Sequence, residues 1–291
     1  MDFEQRIRYE ISTIFNKFHP LMKNYWFIGQ ATVLGSTVAY LMTVLTLCLI
    51  MRRQKPIPEN LMKPLVSGYN ILQISMNSVI FAITTLSILT RSSFESVFCL
   101  PLSPSYESSG AESWVPTSYG ALDKWESFGN WLFFVNKYVE LLDTVWIVLR
   151  KRFNQLSFLH LYHHSTVMIV FWPLATFIPT GVSTWNSMWN SGVHVLMYTY
   201  YFLSGRGDTY RQLLRPIKPY LTRIQMIQFL FLIGVSCSAC YEIHIARTCR
   251  HSLLYGLFMN AYGMSLLVLF GYFYLESYRR KNSEKIGFKK E

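Results

Sequence analysis

Charge is scarce in this 291-residue sequence: Asp, Glu, Lys and Arg make up 15% of it, against roughly a quarter in soluble domains. Acidic residues are the scarcest, 16 against 27 basic, which leaves a net charge of +11. Cysteine is limited to five residues, an ordinary number that rules out a disulfide scaffold. No Asn-x-Ser/Thr sequon occurs, and no internal repeat is visible. The start, Met1-Asp2-Phe3-Glu4-Gln5-Arg6, carries both charge signs, and the first apolar stretch is too long for an h-region, so no cleavable signal peptide is expected. What abounds is apolar: 51% of residues are hydrophobic and 16% aromatic. That load excludes intrinsic disorder and a coiled coil, and it is too heavy for a soluble protein. In a membrane protein the positive balance reflects basic loops rather than nucleic-acid binding, and no nucleic-acid partner is expected.

Seven stretches approach the roughly 20 apolar residues that a spanning helix needs: 27–50, 65–90, 128–149, 156–175, 184–204, 222–243 and 252–276. The intervening loops sort by charge. The first holds Arg52, Arg53, Lys55 and Lys63, the third Arg150, Lys151 and Arg152, and the fifth Arg206, Arg211, Arg215, Lys218 and Arg223. With the tail lysines and arginines these make 18 of the 27 basic residues. The second, fourth and sixth loops hold Arg91, Lys124, Arg247 and Arg250. The positive-inside tendency then puts the odd loops and the C-terminus in the cytosol and the N-terminus in the lumen. The expected fold class is an all-α membrane protein of seven transmembrane helices. It forms a single membrane domain over 1–291, with a basic cytosolic tail at 278–291.

The third to fifth stretches carry polar residues that are costly in a bilayer and therefore informative. At 100° per residue, His160, His163 and His164 share one face about 100° wide. In the next stretch Asn190, His194, Met197 and Tyr201 fall within about 60°, with Tyr198 at the edge. An interhelical hydrogen-bond seam is the plain alternative there. Lys137 and Glu140 are spaced i, i+3 and can neutralise each other, while Asp143 and Thr144 continue that face. A buried pair of this kind serves structure alone, orients the histidines, or holds a phosphate or thioester; the spacing leaves all three open. Gln225 and Gln228 can aim amide donors into a cavity, or simply sit at a helix end. By the assigned sidedness the histidines lie just beneath a rim formed by Arg150, Lys151 and Arg152. A polar chamber under a basic rim suits an anionic cytosolic substrate whose apolar tail continues into the membrane, a description that acyl-coenzyme A fits.

Four motifs occur in one order: Lys-x-x-Glu-x-x-Asp-Thr at 137–144, His-x-x-His-His at 160–164, Asn-x-x-x-His-x-x-Met-Tyr-x-Tyr-Tyr at 190–201 and Thr-x-x-Gln-x-x-Gln at 222–228. In this order and topology they resemble the ELO family of fatty-acid elongases, the membrane 3-ketoacyl-coenzyme A synthases. Gln155, followed by Phe158-Leu159-His160, is similar to the branch handling polyunsaturated chains. The resemblance implies seven spans, most of them enclosing a long narrow substrate tunnel, and residence in the endoplasmic reticulum. Lys289-Lys290 resembles a di-lysine retrieval signal, in a register that departs from the usual one. The implied reaction condenses a long-chain, polyunsaturated acyl-coenzyme A with malonyl-coenzyme A, losing carbon dioxide. No cofactor is needed beyond those two substrates, and no metal. Implied partners are the lipid bilayer, the other enzymes of the elongation cycle and a second copy in a homodimer.

Neutral imidazole attacks thioesters and splits one difficult acyl transfer into two easier steps. His163, central in its cluster and matching the mechanism suggested for the family, is the expected acyl acceptor. His194, His160 and Asn190 are candidate donors to an enolate or tetrahedral oxyanion. His164, Lys137, Glu140 and Asp143 would orient the cluster or contact polar substrate atoms. Tyr198, Tyr201, Gln225, Gln228, Arg150, Lys151 and Arg152 complete the candidate substrate contacts. Two rivals remain: a membrane lipid hydrolase with one zinc on His160, His164 and His194, and a non-enzymatic seven-span lipid receptor or transporter. Di-iron chemistry falls short by histidine count. Cys237 and Cys240 form Cys-x-x-Cys without the βαβ context of a redox motif. An oxidising lumen would allow Cys99 to pair with Cys237 or Cys240.

Overall fold

The computed structural model describes Met22 and residues 24–91, 120–241 and 253–280, with side chains over 255–278 of the last stretch. Among the described residues every regular element is helical, and each of the seven apolar stretches coincides with helix. The helices are α1 Gln30–Arg53, α2 Glu59–Thr90, α3 Ala121–Glu140, α4 Leu142–Leu149, α5 Phe158–Phe177, α6 Val182–Ser204, α7 Asp208–Leu214, α8 Lys218–Tyr241 and α9 Leu253–Tyr274. A π-helical turn, Leu275–Arg280, follows α9. Among the described residues four stretches are long and apolar enough to cross a membrane: Gln30–Arg53, Glu59–Thr90, Asp208–Tyr241 and Tyr255–Tyr278. The helices between them, α3 to α6, are those loaded with buried Asn, His, Lys and Glu.

Local chemistry explains the boundaries. Arg52 and Arg53 close α1 where the helix dipole favours positive charge. Pro56 then forces extended backbone, and Glu59 opens α2 directly after Pro58. That start lies six residues before the apolar stretch at 65, because the first turn of a helix is polar while apolar runs mark only its middle. Leu141 interrupts the third stretch: its N–H bonds Tyr138 at 3.3 Å, a tight turn that separates α3 from α4. Ser157 caps α5, its hydroxyl accepting from the His160 N–H at 3.2 Å. The fifth loop, marked in the sequence only by its basic residues, contains α7 and a 3-10 turn at Arg215–Ile217 before α8 begins.

The packing is reversed relative to a soluble protein. Val38, Leu41, Leu45 and Leu49 of α1, Val79, Leu86 and Leu89 of α2, and Val268 and Tyr272 of α9 all point outward. The interior where α2, α3 and α6 meet is polar, with Asn70, Gln73, Asn77, Asn130, Asn136, Lys137, Glu140, Asn190, Ser191 and His194 buried. Glycines permit the closest approaches: a Cβ on Gly129 would lie 2.8 Å from Ile83 Cγ2, and one on Gly192 would lie 3.0 Å from Phe81. The non-helical segment before α1 is also buried at Met22 and Ile28. Its carbonyls at Trp26, Phe27 and Ile28 accept from Trp131 Nε1 at 3.0 Å, Tyr138 Oη at 3.0 Å and Trp172 Nε1 at 2.7 Å. Irregular backbone among apolar surroundings needs such donors.

A second polar cluster secures the end of the bundle opposite the histidines. Gly181, at φ 66°, turns the chain from α5 into α6, and its N–H donates to Glu126 Oε1 at 2.8 Å. Thr184 Oγ1 donates to the same oxygen at 2.5 Å, and the Arg91 guanidinium closes on Glu126 and on Asp123. Asn130 adds bonds to the Pro179 carbonyl at 2.8 Å and to Thr184 at 2.9 Å. Glu126→Ala removes three partners' acceptor at once and should cost about 3 kcal/mol of stability, with Glu126→Gln costing less. Thermal unfolding of the detergent-solubilised protein measures both.

Candidate functional site

The four motifs converge between α3, α4, α5, α6 and α8. Lys137 and Glu140 on α3 are each 1% exposed, and Lys137 Nζ donates to the two Glu140 oxygens at 2.9 and 3.0 Å. Lys137 also donates to Asn190 Oδ1 at 2.7 Å and sits 4.4 Å from the centroid of the Phe133 ring. Glu140 Oε1 takes a further bond from Asn136 Nδ2 at 3.1 Å and lies 3.0 Å from His194 Nδ1. Two charges inside an apolar bundle persist only when such partners surround both. The i, i+4 spacing of Asn190 and His194 on α6 matches the two ends of this pair. One turn further along α6, the Tyr198 hydroxyl donates to Asp143 Oδ2 at 2.6 Å.

The histidine motif forms one contiguous patch on α5. The His160 and His164 ring centroids are 4.4 Å apart, and those of His163 and His164 are 5.4 Å apart. His160 Nε2 is 2.8 Å from Thr144 Oγ1. His163 and His164 each have a buried Nδ1 without a protein partner. Among the described residues His163 is the only histidine lining the main cavity, which extends between α5, α6, α8 and α9. Asn190 and Gln228 line it beside His163, while Ile178, Val182, Ala239 and Tyr255 line its other end. The helical rise from His163 to Ile178 puts roughly 22 Å between those ends. The cavity volume is about 70 Å³, several times what one water needs, and half of its lining residues are Val, Leu, Ile, Phe or Met.

Other nominated residues sit at the margins. Gln228 is buried in the cavity wall, whereas Gln225 only reaches Met197 Sδ at 3.5 Å. Tyr201 stands edge-on to Tyr198 with centroids 5.9 Å apart, and it is 43% exposed. The basic rim is engaged by its own chain: Arg150 forks onto Glu59 at 2.8 and 3.1 Å, Arg152 reaches Glu59 at 3.4 Å, and Lys151 donates to the Gln54 carbonyl at 3.0 Å. The zinc trio His160, His164 and His194 does not assemble: among the described residues no three His, Cys, Asp or Glu side chains are grouped to hold a metal ion. Cys237 and Cys240 carry free thiols, and Cys99 lies outside the described residues, as do the lysines of the C-terminal tail.

The motifs left some partners of this site unnoticed. Asn136 is adjacent to Lys137 and one turn from Glu140, a spacing that would have placed it on the same pair. On α2, Tyr69, Gln73 and Asn77 form a hydrogen-bonded ladder ending on Tyr198, through contacts of 3.5, 3.4 and 3.1 Å. Its signal is polar residues at i, i+4, i+8 within an apolar run. The buried pair yields a clear expectation: Lys137→Met leaves the Glu140 charge without its cation and should cost about 3–5 kcal/mol. The double variant Lys137→Met/Glu140→Leu should be more stable than Lys137→Met alone, as read from unfolding transitions in detergent.

Residues 20–286 match the model of the ELO group, described as the GNS1/SUR4 family. The very long chain fatty acid elongase 2 of Mus musculus is 37% identical over 155 residues, which is 53% of this chain and 51% of that protein. The very long chain fatty acid elongase 4 of Homo sapiens is 37% identical over 158 residues, covering 54% of this chain and 48% of its own length. Elongase 5 of Xenopus tropicalis is 33% identical over 159 residues, covering 53% and 50%. The chain spans about half the length of these curated relatives. The family match extends beyond the four motifs to most of the chain. With its apolar helices turned outward, this multi-pass membrane protein belongs to the GNS1/SUR4 family.

Proposed function

We propose that this protein catalyses the condensing step of fatty-acid elongation, joining a long-chain acyl-coenzyme A to malonyl-coenzyme A to give 3-ketoacyl-coenzyme A. The observation that carries this reading is the position of His163. Its imidazole, with one buried nitrogen unpaired, borders an apolar cavity beside Asn190 and Gln228. The relatives' names, very long chain fatty acid elongases, agree with it. In this reading seven helices span the endoplasmic reticulum membrane, with the N-terminus lumenal and the C-terminus cytosolic. The cavity is the acyl tunnel. Gln155 and Phe158-Leu159 favour polyunsaturated chains.

His163 attacks the thioester carbonyl, an acyl–nitrogen bond forms, the carbon–sulfur bond breaks, and coenzyme A leaves as the thiol after taking up a proton. Malonyl-coenzyme A then loses carbon dioxide, and the electron pair left behind becomes an enolate. That carbon attacks the acyl-imidazole, the new carbon–carbon bond forms, and the His163 nitrogen departs. Asn190 and Gln228, both on the cavity wall, donate to the oxyanion of each addition, a contribution of roughly 3–4 kcal/mol per well-placed donor. Lys137 is held by Glu140 and Asn190, so its role is to aim Asn190, while Glu140 aims His194. Arg150, Lys151 and Arg152 meet the nucleotide phosphates by exchanging Glu59 and the Gln54 carbonyl for them. The walls of the cavity exclude water, so the acyl-imidazole is protected from hydrolysis. The reaction as written draws on no cofactor beyond its two substrates. Its product needs reduction next, which makes the other enzymes of the cycle the natural partners, with a homodimer as the simplest self-assembly.

The test is incubation of purified protein with an acyl-coenzyme A panel and labelled malonyl-coenzyme A, with intact-mass detection of the enzyme. The wild type should gain one acyl mass without malonyl-coenzyme A and release labelled 3-ketoacyl product with it. His163→Ala should lose the adduct and at least a thousandfold in turnover, an effect of roughly 4 kcal/mol. An unchanged adduct on His163→Ala would remove the acyl-enzyme assignment. Absence of product across the panel would remove the condensation reading.

A further inference from the structure

The first helix reaches into the histidine patch through a side chain with no other visible task. Tyr40 on α1 is 6% exposed, and its hydroxyl lies 2.9 Å from Thr144 Oγ1. The same Thr144 oxygen lies 2.8 Å from His160 Nε2. The hydroxyl thus has two partners, one on each side, and no backbone bond competes for it in this arrangement. We propose that Tyr40 is a positioning residue for the histidine motif, acting through Thr144 to hold His160 in a single tautomer with its proton on Nδ1. The inference deepens the condensation reading and rests on it for its catalytic meaning.

The direction of the relay follows from donor and acceptor strength. A phenol is a better donor than an aliphatic hydroxyl, and a neutral imidazole nitrogen is a better acceptor than either oxygen. The chain with the strongest donor at one end and the strongest acceptor at the other runs Tyr40 O–H to Thr144 Oγ1, then Thr144 O–H to His160 Nε2. Hydrogen bonds in such a series polarise one another inside a low-dielectric interior. His160 Nε2 is then occupied as an acceptor, so it is unavailable for acyl transfer, and the ring is fixed where it packs 4.4 Å from His164. His164 in turn packs 5.4 Å from His163. Fixing one end of this row sets the orientation of the imidazole at the cavity. None of the groups in the relay lines the cavity, so none touches the acyl chain.

Tyr40→Phe keeps the ring and removes only the donor. The Thr144 hydroxyl is then free to turn either way, and His160 samples both tautomers. Loss of one hydrogen bond of this kind predicts a kcat reduced roughly three- to tenfold with KM for acyl-coenzyme A unchanged. Thr144→Val should lower kcat at least as much, Thr144→Ser should restore it, and Tyr40→Phe should add nothing in the Thr144→Val background. Nitrogen-15 spectra of histidine-labelled protein in detergent read the tautomer without any turnover: wild-type His160 Nε2 should give an unprotonated signal that becomes mixed in Tyr40→Phe. A protonated Nε2 in the wild type, an effect of Tyr40→Phe confined to KM, or full additivity with Thr144→Val would each overturn the proposal. If the wild type condenses nothing, the functional reading falls while the nitrogen spectrum still decides the relay.

Discussion

Two opposite charges buried in an apolar bundle govern this structure. Lys137 and Glu140 are removed from solvent, and each charge survives there only because other helices supply the remaining hydrogen bonds. Asn190 and His194 of α6 supply two of them. A slip of α6 by one residue would rotate both by 100° and leave the pair bare. The pair therefore sets register as well as neutralising charge. Tyr198, one turn beyond His194, meets Asp143, one turn beyond Glu140, so the same register satisfies a second carboxyl. Thr144 follows directly and reaches His160, which carries the constraint from α6 through α4 to α5.

Around that centre the bundle resolves a conflict between its two environments. Lipid offers no hydrogen bonds, so polar groups gather inside and large apolar side chains turn outward. Where the chain leaves helical geometry, donors are provided locally: Trp131, Tyr138 and Trp172 serve the segment before α1, and Glu126 serves the turn at Gly181. The wall between α5 and α9 is closed in the same way. Tyr162 meets Ser265 at 2.9 Å, Thr166 meets Tyr262 at 3.0 Å, and Tyr255 donates to the Val170 carbonyl at 2.6 Å. The apolar cavity lies just inside that seam, with His163, Asn190 and Gln228 as its polar lining at one end.

Much of this was legible in the chain because membranes impose simple rules. Among the described residues the apolar runs of span length fell on helix, the third of them on two helices, α3 and α4, and four stretches are long and apolar enough to span; the polar residues inside the runs marked the interior. The errors have physical causes. Helix ends are polar, so α2 and α3 start earlier than their apolar cores, and α7 hid in a stretch too polar and too short to stand out. Tyr40 went unnoticed because a single polar residue in an apolar run carries no motif, and Glu126 because it precedes the third apolar stretch, whereas the Tyr69–Gln73–Asn77 ladder carried a readable i, i+4, i+8 spacing.

The sequence by itself determined the helical class, the outward apolar faces and the residue types that converge, because each depends on local spacing and on the cost of placing polar groups in lipid. Only the tertiary structure decided which histidine borders the cavity, which one is tied to Thr144, and that the rim arginines are held by Glu59. Helical periodicity assigns a residue to a face to within a turn. Which neighbour that face meets depends on the packing of separate helices, and no spacing along one of them contains that information.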